Sequence, residues 1–118
     1  MQTLNWNMTK LLFICSRNQW RSPTGEHIFK HHPEVVARSA GTSPNAKKTV
    51  SVNDIQWADV IFVMEHKHKQ RLQTRFTRLL NYKDIQVLDI PDEYQYMDAE
   101  LVELITLSVD DYLSLSSR

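Results

Sequence analysis

Four short segments of strand character alternate along this chain with segments of helical character, and this alternation restricts the possible fold more than any other feature. The segments expected to be strands lie at 11–15, 35–39, 60–64 and 85–88, and the first of them is a continuous apolar run. Helices are expected from 22 to about 32, at 51–57, at 66–80 and after a cap at Asp98. Such alternation is typical of parallel sheets that are buried on both faces. We therefore predict an α/β fold: a single domain with a four-stranded parallel sheet and helices on both faces.

Residues suited to catalysis follow the carboxyl ends of two predicted strands. Cys15 ends the first strand, while Asp89 and Asp92 follow the fourth. In open parallel sheets, ligands bind in the crevice outside the carboxyl ends of the strands. The topology therefore predicts that Cys15 and one or both of these carboxylates line a single pocket.

Five residues separate Cys15 from Arg21, and Ser22 and Pro23 follow at the expected start of a helix. This spacing indicates a phosphate-binding loop, in which backbone N–H groups, the helix N-terminus and an Arg fork surround the oxygens. Ser22 is expected to cap the helix, and Asn18 is best suited to any positive-φ position of this glycine-free loop. The alternative is a structural cysteine buried at the end of a strand.

The wider sequence resembles the low-molecular-weight protein tyrosine phosphatase family. The family's phosphate loop has a Cys, five residues, Arg and Ser, with Asn in the fourth place, and residues 15–22 match it with Asn18 in that place. Segments 37–42 and 58–64 are similar to the family's second and third strands. Segment 90–94 resembles the loop that carries the family's general acid. The resemblance extends over roughly residues 9–116.

The resemblance implies hydrolysis of a phosphate ester through a cysteinyl-phosphate, with no metal or organic cofactor. Cys15 would be the nucleophile and Asp92 the general acid, with Asp89 as the rival carboxylate on the same loop. The resemblance also implies that phosphate is bound by the loop residues Ser16, Arg17, Asn18, Gln19, Trp20, Arg21 and Ser22. Asn18, Ser22 and Ser39 would support the loop, and the Ser22 hydroxyl would donate to the Cys15 sulfur.

Several departures from the family pattern weaken the case for phosphotyrosine specificity. Arg17 stands where Gly is frequent, Trp20 where a second Cys is frequent, and Glu93 where Pro is usual. The chain is also short between the third strand and the acid loop, which predicts a shallow pocket. Two other functions stay open: an arsenate reductase that uses an external thiol, and a catalytically weak phosphate- or phosphoprotein-binding module.

Composition sets further limits on the protein. The single cysteine excludes an intramolecular disulfide, and a lone reactive thiol suits a reducing compartment. No apolar stretch is as long as a membrane span, so we expect a cytoplasmic protein. Residues 1–8 are predicted to be a flexible tail before a phosphatase-like domain at 9–118.

Charge is distributed unevenly although the formal net charge is zero. Basic residues predominate up to position 83 and acidic residues after it. A basic stripe is expected on the third helix, formed by Lys67, Arg71, Arg75 and Arg78. It is either a solvated face, for which the acidic C-terminal segment is a candidate partner, or a docking surface for a polyanion. The expected substrate is a phosphorylated protein or a small phosphoester.

The histidines are expected to be solvent-exposed rather than functional. His27 and His31 are four residues apart on a predicted helix, but no third ligand completes a metal site. His66 and His68 are expected on the surface.

Overall fold

A computed structural model describes residues 8–115, which form one four-stranded sheet with helices on both faces. The strands are β1 (Thr9–Cys15), β2 (Val35–Gly41), β3 (Val60–Val63) and β4 (Asp84–Val87), and they lie in the order β2-β1-β3-β4. Every neighbouring pair is parallel. The helices are α1 (Arg21–Phe29), α2 (Val52–Trp57), α3 (His66–Arg75) and α4 (Ala99–Leu113). The predicted fold class is confirmed, and the predicted tail falls outside the described residues except for Met8.

The central strand β1 supplies both hydrophobic cores. Its alternate residues Leu11 and Phe13 pack with α1 and α4 on one face, and Leu12 and Ile14 pack with α2 and α3 on the other. All four are fully buried, because β2 and β3 flank the strand and helices cover each face. This explains why its sequence is a continuous apolar run rather than an alternating one.

The predicted cap of α1 is wrong. The helix begins at Arg21, and the preceding Trp20 makes no side-chain cap. Ser22 lies in the first turn, where its hydroxyl contacts Cys15 instead of a backbone N–H. The helix ends at Phe29, so His31 lies beyond it, and the predicted histidine pair does not share a helical face.

The third helix is shorter than predicted. It ends at Arg75, and residues after it continue in turns rather than in the helix. Phe76 and Leu80 are nevertheless buried in the second core, as the apolar spacing suggested. Successive turns present side chains to the same face for a short distance, so spacing alone did not locate the helix end. Asp98 does cap α4, accepting from the Glu100 and Leu101 N–H groups.

None of the helices among residues 8–115 has the length and apolar character needed to cross a bilayer.

Gly25 on α1 offers a test of the packing against β1. An added Cβ would lie 2.6 Å from ring atoms of Phe13, and that ring is stacked against Phe29 and Phe62. We expect Gly25→Ala to lower the free energy of unfolding by about 1–3 kcal/mol, because overpacking a rigid core is destabilising. Helix propensity alone would instead raise the free energy of unfolding by about 1 kcal/mol, because Ala is a better helix former than Gly.

Urea unfolding measures the difference. Thr74→Ala at an exposed position of α3 is the control and should stay within about 0.5 kcal/mol of the unmodified protein. A stabilised Gly25→Ala protein would contradict the described packing.

Candidate active site

The loop between β1 and α1 encloses a cavity of about 220 Å³ at the carboxyl edge of the sheet. It is lined by Cys15, Ser16, Arg17, Gln19, Trp20, Arg21 and Asp92. Five of the seven predicted phosphate-binding residues thus face the cavity. The other two, Asn18 and Ser22, do not line the cavity, and both are buried.

The loop carbonyls point away from the cavity. The carbonyl oxygens of Cys15, Ser16 and Arg17 accept from backbone N–H groups of the segment after β2, at 2.9, 2.9 and 3.1 Å. In a planar trans peptide, the N–H of the next residue points opposite to the carbonyl. These bonds therefore direct successive loop N–H groups inward, the arrangement that binds an anion.

The thiol of Cys15 meets a hydroxyl at the start of α1. Cys15 Sγ lies 3.0 Å from Ser22 Oγ, and Cys15 is 4% exposed. Ser22 Oγ accepts from Asn18 Nδ2 at 2.9 Å, so its own hydrogen is left for the sulfur. The Ser22 hydroxyl is thus placed to donate a hydrogen bond to the Cys15 sulfur.

The side chain of Asn18 makes hydrogen bonds that stabilise the conformation of the loop. Asn18 has φ of 53°, the left-handed conformation predicted for it. Its amide also donates to Ser39 Oγ at 3.0 Å, and Ser39 donates to Glu26 Oε1 at 2.5 Å. The three residues predicted to support the loop, Asn18, Ser22 and Ser39, therefore form one buried network. Glu26 was not predicted in it.

Gly41 ends β2 directly beneath the loop. A Cβ there would lie 2.5 Å from the Ser16 carbonyl oxygen and 2.6 Å from the Ala46 Cβ. Glycine is required at this position because the loop backbone approaches so closely.

The Arg21 guanidinium is buried and held in a fixed plane. Its Nη1 donates to Glu65 Oε1 and to the Ile90 carbonyl oxygen, both at 2.8 Å, and the side chain is 2% exposed. Burial alone would raise the Glu65 pKa, but the hydrogen bond and charge of Arg21 lower it below its ordinary value. Glu65 was missed from the sequence, although an acid directly after a predicted strand was a usable signal.

Asp92, and not Asp89, lies at the cavity of Cys15. Asp92 Oδ1 is 3.7 Å from Arg21 Nε, and its side chain is 57% exposed at the cavity mouth. Asp89 has φ of 58° and borders a separate depression with Glu65, His66 and Lys67. A thiol, inward-directed backbone N–H groups and an exposed carboxylate around one cavity are the groups suited to transfer of a phosphoryl group.

The expectation that His68 is a surface residue is wrong. His68 is fully buried, and its ring contacts Ser16 Oγ and the Glu65 backbone. Burial and the charge of Arg21 lower the His68 pKa to about 4. The signal was present in the sequence, since His68, Leu72 and Phe76 continue one stripe at intervals of four residues.

The predicted basic stripe does not follow one helix. Lys67 Nζ lies 3.7 Å from Glu65, Arg71 donates to Thr42 Oγ1 at 3.4 Å, and Arg75 lies over the Phe76 ring. Arg78 lies beyond the end of α3. All four side chains are exposed.

The Arg21–Glu65 pair should make stability depend on pH in a defined window. Because the folded-state pKa of Glu65 is lowered, the pair stabilises fully above the ordinary value of 4.5 and is lost as pH falls through the folded-state pKa. We expect the stability difference between the unmodified protein and Glu65→Gln to be largest near neutral pH and to shrink below pH 4.5.

Urea unfolding at a series of pH values measures this difference. Glu103→Gln, at an exposed position of α4, is the control. A difference that does not change with pH would show that the carboxylate charge is not what holds Arg21.

Comparison with known proteins agrees with this architecture. No family model matches the chain. It is 32% identical over 101 residues to the protein-arginine-phosphatase of Bacillus subtilis (strain 168), a match that covers 63% of this chain and 65% of that protein. The match thus spans just under two thirds of that relative's length.

Two solved structures share the fold over most of their length. One is SP-PTP, a low molecular weight protein tyrosine phosphatase from Streptococcus pyogenes, with a TM-score of 0.75, 22% identity and coverage of 94% of this chain and 95% of that one. The other is a YwlE arginine phosphatase mutant with a phosphorylated active-site serine, with a TM-score of 0.70, 23% identity and coverage of 93% and 99%. This chain therefore has the fold of the low-molecular-weight protein tyrosine phosphatases.

Proposed function

We propose that this protein is a cysteine-dependent phosphatase that acts through a cysteinyl-phosphate intermediate. The observation that carries the proposal is that Cys15 and the buried Arg21 line one small cavity with Asp92 at its mouth. The similar proteins lend support, since one is a protein-arginine-phosphatase and another holds a phosphorylated active-site serine.

In the first step, the Cys15 thiolate attacks phosphorus while the bond from phosphorus to the leaving oxygen breaks. Asp92 gives its proton to that oxygen, so that the product leaves as a neutral alcohol. The inward N–H groups of the loop and the fixed Arg21 guanidinium hold the equatorial oxygens, whose charge is spread in the transition state.

In the second step, water attacks the cysteinyl-phosphate and gives a proton to Asp92. The sulfur–phosphorus bond breaks and returns the thiolate, which accepts a hydrogen bond from the Ser22 hydroxyl. Phosphate is released and the initial protonation states are restored. The 3.0 Å contact from Ser22 to Cys15 Sγ supports this role.

The substrate is proposed to be a phosphorylated protein or a small phosphoester, in the cytoplasm, where a lone reactive thiol stays reduced. The cavity is small, at about 220 Å³, so recognition of a protein substrate would also involve the surrounding surface. Trp20 and Gln19 border both this cavity and a neighbouring groove of about 450 Å³. Lys67, Arg71, Arg75 and Arg78 are exposed and are proposed as a docking surface for a polyanion.

Turnover of p-nitrophenyl phosphate tests the proposed function directly. The unmodified protein should release phosphate without added metal, and Cys15→Ser should abolish turnover while still binding tungstate. A hydroxyl nearly fills the space of the thiol but is a poor nucleophile at neutral pH. Tungstate binding without turnover by the unmodified protein would indicate a binding module, and arsenate-dependent oxidation of glutathione would indicate an arsenate reductase. Phosphotyrosine and phosphoarginine peptides would then be compared as protein substrates.

The position of Asp92 generates a second prediction. Asp92→Asn should slow hydrolysis of alkyl phosphates by about 10²–10⁴-fold, because their poor leaving groups need the proton. Activated aryl phosphates barely need protonation and should be affected far less. Asp89→Asn is the matched control and should change neither rate by much. If Asp89→Asn lowered the rate of alkyl phosphate hydrolysis more than Asp92→Asn did, Asp89 would be the general acid instead.

A further inference from the structure

A buried histidine that the proposed mechanism does not use touches the phosphate loop beside the nucleophile. His68 is fully buried at the start of α3, and its Nε2 lies 2.9 Å from Ser16 Oγ. Ser16 follows Cys15 directly and lines the cavity. We propose that neutral His68 is a positioning residue that fixes the Ser16 hydroxyl as a donor to the bound oxyanion. This inference rests on the proposed function.

The hydrogen bonds determine which ring nitrogen of His68 carries the proton. The Glu65 backbone N–H donates to His68 Nδ1 at 3.0 Å, so Nδ1 must be the unprotonated acceptor. In a neutral imidazole the proton is then on Nε2, the atom that contacts Ser16. His68 therefore donates and Ser16 Oγ accepts.

The hydroxyl hydrogen of Ser16 is left for another acceptor. Within residues 8–115, Ser16 Oγ makes no hydrogen bond other than the one to His68. A hydroxyl whose oxygen already accepts from a fixed donor has its remaining hydrogen directed away from that donor. Since Ser16 lines the cavity, a tetrahedral oxyanion there would be the acceptor, and the hydroxyl would add to the loop N–H groups.

The surrounding charges favour the neutral ring. Arg21 from α1 and Lys67 and Arg71 from α3 oppose a positive charge on His68, and Glu65 alone favours one. Burial acts in the same direction as the cations, and the pKa is lowered to about 4. At neutral pH, Ser16 thus meets a fixed N–H donor rather than a titrating cation.

One turn at the start of α3 holds both ends of the loop. Glu65 binds Arg21, the residue of α1 that directly follows the loop, while His68 binds Ser16, the first loop residue after Cys15. The bond from the Glu65 N–H to the His68 ring joins the two contacts. The spacing between the first oxyanion donor and the guanidinium would therefore depend on this turn.

Nitrogen NMR of the whole protein tests the tautomer without any variant. We expect His68 to show a protonated Nε2 and an unprotonated Nδ1 from pH 8 to pH 5.5. A cationic ring at neutral pH, or a proton on Nδ1, would overturn the proposal. The result does not depend on turnover, so it can be separated from failure of the proposed function.

Variants test whether His68 acts through Ser16. Ser16→Ala and His68→Leu should each weaken tungstate binding and lower kcat/KM for p-nitrophenyl phosphate by about 10-fold, the effect of one hydrogen bond to a charged group. The double variant should be no worse than either single one. His68→Gln retains a side-chain N–H donor and should recover most of the loss.

Additive losses in the double variant would overturn the proposal, as would His68→Gln behaving like His68→Leu with its fold intact. Thermal melting of each variant separates these outcomes from unfolding. If the unmodified protein hydrolyses no phosphate ester, the proposed function fails, while tungstate affinity still decides the role of His68.

Discussion

The site depends on the buried guanidinium of Arg21 and the groups that neutralise it. A charge removed from water is tolerated only when it is paired and hydrogen-bonded. Arg21 meets Glu65, which follows β3, and the Ile90 carbonyl oxygen, which follows β4. One side chain on α1 thereby contacts two chain segments that are distant from it in sequence. Removing it would leave Glu65 without its principal partner and the acid loop without an anchor.

The order of the sheet makes this convergence possible. With β1 between β2 and β3, the loop after β1 is supported from both sides at the carboxyl edge. The segment after β2 binds the loop carbonyls, and the turn after β3 supplies Glu65 and His68. The segment after β4 brings Asp92 to the cavity mouth. Each strand therefore contributes to the site through the residues that follow it.

The fold class and the position of the loop could be predicted from the sequence, but the side-chain contacts of Ser22 and His68 with the loop could not. A continuous apolar run identified β1, the alternation of strand and helix segments identified the fold class, and the Cys15–Arg21 spacing with Asn18 at positive φ described the loop. The Ser22 cap was wrong because the same hydroxyl can bond a backbone N–H or the Cys15 sulfur, and only the fold decides between them. His68 was missed because its lysine neighbours indicate a solvated helix, while its burial is set by packing against a loop more than fifty residues earlier. The four-residue spacing of His68, Leu72 and Phe76 indicates that this face is buried, but it does not identify the loop residue that His68 contacts.

Capture of the phosphorylated enzyme tests the central claim most directly. The protein would be mixed rapidly with p-nitrophenyl phosphate, quenched at successive times during turnover, and its peptides measured by mass spectrometry and phosphorus NMR. The account predicts a single phosphoryl group on the sulfur of Cys15 that forms and decays in step with product release. Phosphate release with Cys15 unmodified at every quench time, or a phosphoryl group on another side chain, would contradict it.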